Sequence, residues 1–234
     1  GEKISKSKGN GLSIEEWLTY APQETLSYFM YQNPRRAKKL FLEVIPKSTD
    51  EFISHLNKFD DQSLDQKIEN PFWHISNGSN CIGKMGISYN LILNLVSASG
   101  SNDPKLILDF IKKYVGNIEE GSLEFLLKLI DGVINYYNDV TKSSISYKKP
   151  SEVEVLIFED LIKRLSAMPN TLSAEEIQTE IYQIGKDHNF TNLRDWFSLI
   201  YQVLFGKSEG PRFGSFVAIY GIDRTIQLIK DKVF

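Results

Sequence analysis

The sequence predicts an all-α protein built as two helical bundle subdomains. Three observations carry that reading. Apolar residues recur three and four positions apart along most of the chain. Helix-start signals stand directly ahead of these periodic runs: capping-box spacings at Ser13-Ile14-Glu15-Glu16 and Ser173-Ala174-Glu175-Glu176, and Asp103-Pro104 as N-cap plus first-turn proline. Period-two alternation is confined to a short candidate strand at 40–45.

Taken in order, Trp17, Leu18 and Tyr20 follow the first capping box, and Pro22 ends or restarts that helix. Leu26, Phe29 and Met30 form the next apolar face. Phe52, Ile53, Leu56 and Phe59 make one stripe over 50–59. Asn70-Pro71-Phe72-Trp73-His74 reads as a turn entering a short helix, and Gly78, Gly83 and Gly86 mark a loop before an apolar run at 87–96. Leu106, Ile107, Phe110, Ile111 and Tyr114 recur at helical spacing, as do Leu126, Leu127, Ile130, Ile134 and Tyr137 within 123–140. The polar stretch 141–150 reads as a boundary. Beyond it, 151–167 is helical, and the helix after Ser173 is expected to close at Gly185 in the left-handed conformation. Leu193, Trp196, Phe197, Ile200 and Leu204 line a helix ended by Gly206; Trp17 and Trp196 both read as core. The stretch 210–220 is glycine-rich and aromatic, and its first part, 210–214, reads as an exposed loop. Asp223 is expected to cap the last helix. The organisation expected is 1–49, 50–145 and 146–234, with about ten helices.

The 234 residues are 41% hydrophobic with a formal net charge of −3, enough for a core and too near neutral to advertise nucleic-acid binding from charge alone. Any basic surface is therefore local. The first 49 residues hold eight Lys+Arg against five Asp+Glu, an excess of three. Cys81 is the single cysteine, which excludes an internal disulfide and lacks the partners of a nucleophile. His55, His74 and His188 have no companion spacing for a metal, so no metal site is expected. No apolar run approaches a membrane span, and a cytoplasmic location is expected.

Lys3-Ile4-Ser5-Lys6-Ser7-Lys8-Gly9-Asn10-Gly11 opens the chain. Lysines two or three apart on a glycine-rich loop can direct ammonium groups at a polyphosphate, and the serines add donors. Without further context such a stretch reads more simply as a solvated linker.

The order KISKS resembles the KMSKS signature of class I aminoacyl-tRNA synthetases, with Ile4 in place of methionine. Taken with Asn33-Pro34-Arg35-Arg36-Ala37-Lys38, Asn70-Pro71-Phe72-Trp73-His74, Trp196-Phe197 and Gly210-Pro211-Arg212-Phe213-Gly214-Ser215-Phe216, the chain resembles class I lysyl-tRNA synthetases from residue 2 to about residue 229. Glutamyl enzymes are the nearest alternative, but usually carry arginine where this chain has Ser7. The resemblance implies that Lys3, Ser5, Lys6 and Ser7 meet ATP, that Arg35, Arg36, Lys38 and Lys39 touch tRNA stem phosphates, and that the C-terminal bundle is an α-helix cage binding the anticodon. Lys148, Lys149, Arg212, Phe213 and Trp73 are the anticodon candidates, since unstacked bases need aromatic platforms and edge-reading polar groups.

The family also needs a Rossmann fold bearing the HIGH motif, placed before KMSKS. His74-Ile75-Ser76-Asn77 begins similarly but lacks the glycine and second histidine, and follows KISKS. The expectation is a C-terminal part that binds tRNA(Lys) without activating lysine by itself; ATP, Mg2+ and lysine would be handled with the remaining domain. A non-enzymatic helical scaffold is the reading from a different class.

Overall fold

The computed structural model describes residues 12–32, 34, 35, 38, 41–79, 81–116, 118, 120–169 and 171–234. Thirteen α-helices occur among them: α1 (Ile14–Tyr20), α2 (Gln23–Tyr31), α3 (Val44–Phe59), α4 (Leu64–Glu69), α5 (Pro71–Ile75), α6 (Tyr89–Ser99), α7 (Pro104–Val115), α8 (Glu120–Tyr136), α9 (Glu152–Ala167), α10 (Ala174–Asp187), α11 (Leu193–Phe205), α12 (Phe213–Tyr220) and α13 (Ile222–Val233). A π-helical turn, Tyr137–Thr141, extends α8. No strand is present among the described residues.

The helix starts follow from short polar side chains. Ser13, Ser151 and Ser173 each accept from the backbone N–H three residues on, while Glu16, Glu154 and Glu176 accept from the serine's own N–H. Two otherwise orphaned donors are satisfied at each helix. Asp103 caps α7 through the Lys105 N–H at 2.9 Å. Gly206 closes α11 with φ of 65°.

Four local expectations are corrected. In place of the short strand, 42–43 form a turn and Val44 and Ile45 open α3, with Ile45 buried in the helical core. Gly185 lies inside α10 rather than ending it. A Cβ there would sit 2.7 Å from Trp196 Cδ1, so the glycine admits the indole, and the left-handed residue is Asn189, with φ of 59°. Gly221, not Asp223, precedes α13, and Asp223 sits in its first turn, at the positive end of the helix. The loop expected over 210–214 is shorter, since Phe213 and Gly214 already belong to α12.

One contiguous core runs through both halves. Trp17 and Trp196 are its largest buried side chains, and each indole N–H is paired, to Thr25 Oγ1 at 3.0 Å and to the Ile181 carbonyl at 2.9 Å. Buried indoles need such partners. At the centre lies α12, whose Phe213, Phe216, Val217, Ile219 and Tyr220 are all buried, so it packs against α10 and α13 and also against α6 and α7. Across the 145/146 division, the Tyr220 hydroxyl donates to the Ala98 carbonyl at 3.1 Å. In the N-terminal half α1 crosses α8 so closely that a Cβ on Gly132 would collide with the Tyr20 carbonyl. No helix among the described residues is long and apolar enough to cross a membrane.

Candidate functional site

Of the residues expected at a nucleotide, Lys3, Ser5, Lys6 and Ser7 lie outside the described residues, as do Arg36 and Lys39 of the basic cluster. Arg35 is exposed in a turn. The ammonium of Lys38 is engaged: it donates to the carbonyls of Phe29 and Gln32 at the C-terminus of α2 and lies 4.6 Å from the Phe29 ring centroid. Partial burial lowers its pKa. A cation at orphaned C-terminal carbonyls is a helix cap. Lys38 therefore closes α2 in this structure instead of reaching out as a free phosphate contact.

Trp73 is half-buried. Its ring lies 6.1 Å from that of Phe59 and covers Gly78, which has φ of 77°. The more exposed pair beside it is Tyr31 and His74, which stack with centroids 5.0 Å apart and planes 17° apart; the sequence pairs His74 with Trp73 as a candidate platform, and Tyr31 joins it only through the fold. His74 Nε2 is 2.7 Å from the Ile68 carbonyl, so that nitrogen carries the hydrogen it donates.

At the C-terminal end, Lys148 pairs with Glu154 at 2.5 Å, and its backbone N–H donates to the Gln202 carbonyl. Burial alone would raise the Glu154 carboxyl, but the bonds from Lys148 and Ser151 outweigh it and hold the group below its ordinary pKa. Lys148 thus pins the 145–150 segment to the start of α9. Lys149 is exposed. Phe213 requires correction as a stacking platform: it is fully buried, 6.3 Å from the Tyr201 ring and stacked on Phe216 at 5.7 Å. Its ring faces are spent on the core.

Arg212 meets the opposite fate. It is exposed, and its guanidinium makes no hydrogen bond or ion pair with any described residue. Its backbone is nevertheless fixed. Gly206 turns the chain, the Lys207 N–H donates to the Tyr201 carbonyl, and the Tyr201 hydroxyl donates to the Pro211 carbonyl. Burial raises the Tyr201 pKa, so that hydroxyl stays protonated and keeps donating. One residue beyond Phe213, the Gly214 N–H donates to Gln178 Oε1 on α10 at 2.7 Å. A free cation is therefore mounted on a rigid turn.

That turn forms one wall of a cleft of about 700 Å³ whose other walls come from α10 and α11. Tyr182 of α10, 42% exposed, meets Phe197 of α11 edge to face, with centroids 4.9 Å apart and planes at 71°. Arg194 and Arg212 stand in the same cleft, with Asp195 and Glu209. One exposed aromatic ring in a cleft lined by two arginines suits the face and the phosphate of an unpaired nucleotide. Tyr182 could have been found from sequence, being an aromatic on the polar side of α10, away from the Ile177, Ile181 and Ile184 stripe.

Residues 1–79 match the family described as class I (K) tRNA synthetases. The whole chain aligns at 43% identity with the lysine–tRNA ligase of Rickettsia bellii (strain OSU 85-389), covering 45% of that protein. The chain resembles class I lysyl-tRNA synthetases. Identity is again 43% to the lysine–tRNA ligase of Rickettsia felis and 42% to that of Rickettsia rickettsii (strain Sheila Smith), in both cases over the whole chain and 45% of the relative. The chain thus spans about half the length of these curated relatives. The lysyl-tRNA synthetase likeness includes 193–214, where the cleft is built, as well as the opening loop. Among the described residues, no group of His, Cys, Asp and Glu could hold a metal ion.

Proposed function

We propose that this chain is the tRNA-holding part of a class I lysine–tRNA ligase, carrying the KMSKS loop at 3–7 and an anticodon-binding helical cage in 146–234. In the whole enzyme, lysine would be activated with ATP and Mg2+ as lysyl-adenylate and passed to tRNA(Lys). The single observation that supports the tRNA role best is the cleft that Arg194 and Arg212 line and in which the exposed Tyr182 ring is braced edge to face by Phe197. The stacked Tyr31–His74 pair and exposed Arg35 offer a second, N-terminal contact face. Lys149 and Trp73 remain anticodon candidates beside Arg212.

What the residues do is bind and orient. An aromatic face accepts an unstacked base, and a guanidinium on a fixed turn either reads a base edge with two parallel bonds or holds a phosphate. The lysines that would meet ATP lie in 1–11, outside the described residues. The chain by itself is expected to give no lysine-dependent ATP–pyrophosphate exchange.

Filter binding of the chain to lysine and glutamate tRNAs tests the reading. Preference for the lysine tRNA is expected. Preference for the glutamate tRNA would favour a glutamyl-type enzyme, and absence of binding at low salt would favour the helical scaffold.

A further inference from the structure

We infer that a second nucleotide site lies on the other side of Arg212, in the groove between α3, the 83–88 loop and the N-terminal turn of α12, and that it takes the nucleotide adjoining the one held by Tyr182 and Phe197. The inference rests on the RNA-binding reading above and extends it out of the C-terminal cage.

Two cavities share Pro211 and Arg212 in their linings. One is the aromatic cleft, and the other is a groove of about 770 Å³. Both volumes lie within the roughly 300–1,000 Å³ of small-molecule sites. The floor of the groove is apolar, formed by Ile53, Met85, Ile87 and Leu91, each 4–5% exposed. Its rim carries Ser54 and Lys58, four residues apart on α3, facing Arg212 and Ser215 from the far wall. All four can donate, and none of their side chains makes a hydrogen bond or ion pair with a described residue.

The neighbouring polar groups are already committed. Asn57 spends both amide atoms on Met85, accepting from its N–H at 2.6 Å and donating to its carbonyl at 2.8 Å, so it holds the loop wall in place. Asp50 accepts from the Tyr89 N–H and the Asn90 side chain, and Asp61 pairs with Lys84. An apolar floor beneath a rim of free donors suits a flat ring bearing acceptors and an attached phosphate. Because Arg212 stands between the two cavities, a strand with adjacent bases splayed to either side would bring a base edge within reach of the guanidinium, and Lys58 would meet the phosphate on the groove side.

The test is a fluorescence-anisotropy titration of the full chain with a labelled hairpin carrying the lysine anticodon loop. Ser54→Trp, which fills the groove, and Lys58→Ala are each expected to weaken binding by about fivefold or more, the lower end of losing one stacked base. Lys58→Ala should also lower the slope of log K against log salt by about 0.7, one single-strand phosphate. Both positions are exposed on α3, and circular dichroism of each variant checks that it folds as the parent does. Independently of any variant, the hairpin should protect the Lys58 amine from acylation, read by mass spectrometry. If both variants bind within twofold of the parent and Lys58 stays equally reactive, while Tyr182→Ala weakens binding, the second site is wrong and the cleft stands. If the parent chain binds no hairpin, both are wrong.

Discussion

Tyr182 on α10 and Phe197 on α11 meet edge to face at 4.9 Å, and it is the Tyr182 ring, 42% exposed, that offers the accessible face. Phe197 fixes the angle at which that face looks into the cleft. Tyr182→Ala should therefore weaken binding of a lysine anticodon hairpin by about 1–3 kcal/mol, the range for one base–aromatic stack. Tyr182→Phe should bind nearly as well as the parent. A matching loss in Tyr182→Phe would assign the role to the hydroxyl and not to the ring.

Arg164 ties α9 to α10, bonding Asp160 at 3.1 Å, Glu180 at 3.0 Å and Asp187 at 2.5 Å, while His188 Nε2 lies 3.0 Å from Asp160. Bonds from Arg164 and then Gln183 hold the Asp187 carboxyl below its ordinary range. For Asp160, burial acts upward, but the bonds from Arg164 and His188 outweigh it and hold it low as well. Groups depressed in the folded state contribute stability that is complete above the unfolded carboxylate pKa of about 4 and lost as pH falls through the folded value. Thermal midpoints should thus drop below about pH 4. Arg164→Met should reduce that acid dependence and cost about 1–2 kcal/mol at neutral pH, since the pairs are partly exposed. An unchanged acid slope in Arg164→Met would contradict the assignment.

Gly132 separates propensity from packing. In an open helix interior, alanine would gain up to about 1 kcal/mol over glycine. Here the added methyl would meet the Tyr20 carbonyl where α1 crosses α8. Gly132→Ala is expected to destabilise by about 1–3 kcal/mol, the cost of overpacking, seen as a lower urea midpoint. A raised midpoint would show that α1 can shift away freely.

Lys207 follows the turn at Gly206, and burial pushes its pKa down to about 8. A depressed lysine costs stability when charged, and that cost disappears as pH rises through the folded value toward the unfolded one. Stability attributable to Lys207 should therefore increase between about pH 8 and 10, by on the order of 1–3 kcal/mol. Lys207→Met should be more stable than the parent at pH 7, with the difference shrinking toward pH 10. Denaturant midpoints across that window decide it. A constant difference would show that Lys207 does not lose its proton there.

Much of the fold could be read from short-range signals. The capping serines, the Asp103-Pro104 start and the Gly206 stop act within four residues and formed as expected. Gly185 and the 210–214 stretch misled because their explanation is tertiary. Gly185 is small to admit Trp196 from another helix, and the glycines around Phe213 serve close approaches to Tyr201 and α10, so they do not signal a long loop. The site divided in the same way. Arg212 was legible as a cation in a turn-forming stretch. Phe213 could be read both as a stacking ring and as core, and the packing of α12 on four helices decides for core. Tyr182 and the Tyr31–His74 stack depend on which rings from separate helices meet, which periodicity along a single helix does not report.

The central claim, that Arg212 and its cleft hold unpaired anticodon bases, is tested most directly by one titration. Binding of the lysine anticodon hairpin is measured for the parent and Arg212→Ala, with the natural anticodon and with each anticodon base exchanged, from about 50 to 200 mM salt. The account predicts salt-sensitive binding, a loss of about 1–3 kcal/mol in Arg212→Ala, and a loss concentrated on one anticodon position. A loss equal for every sequence would make Arg212 a phosphate contact only. Parent binding that ignores both salt and anticodon would contradict the account.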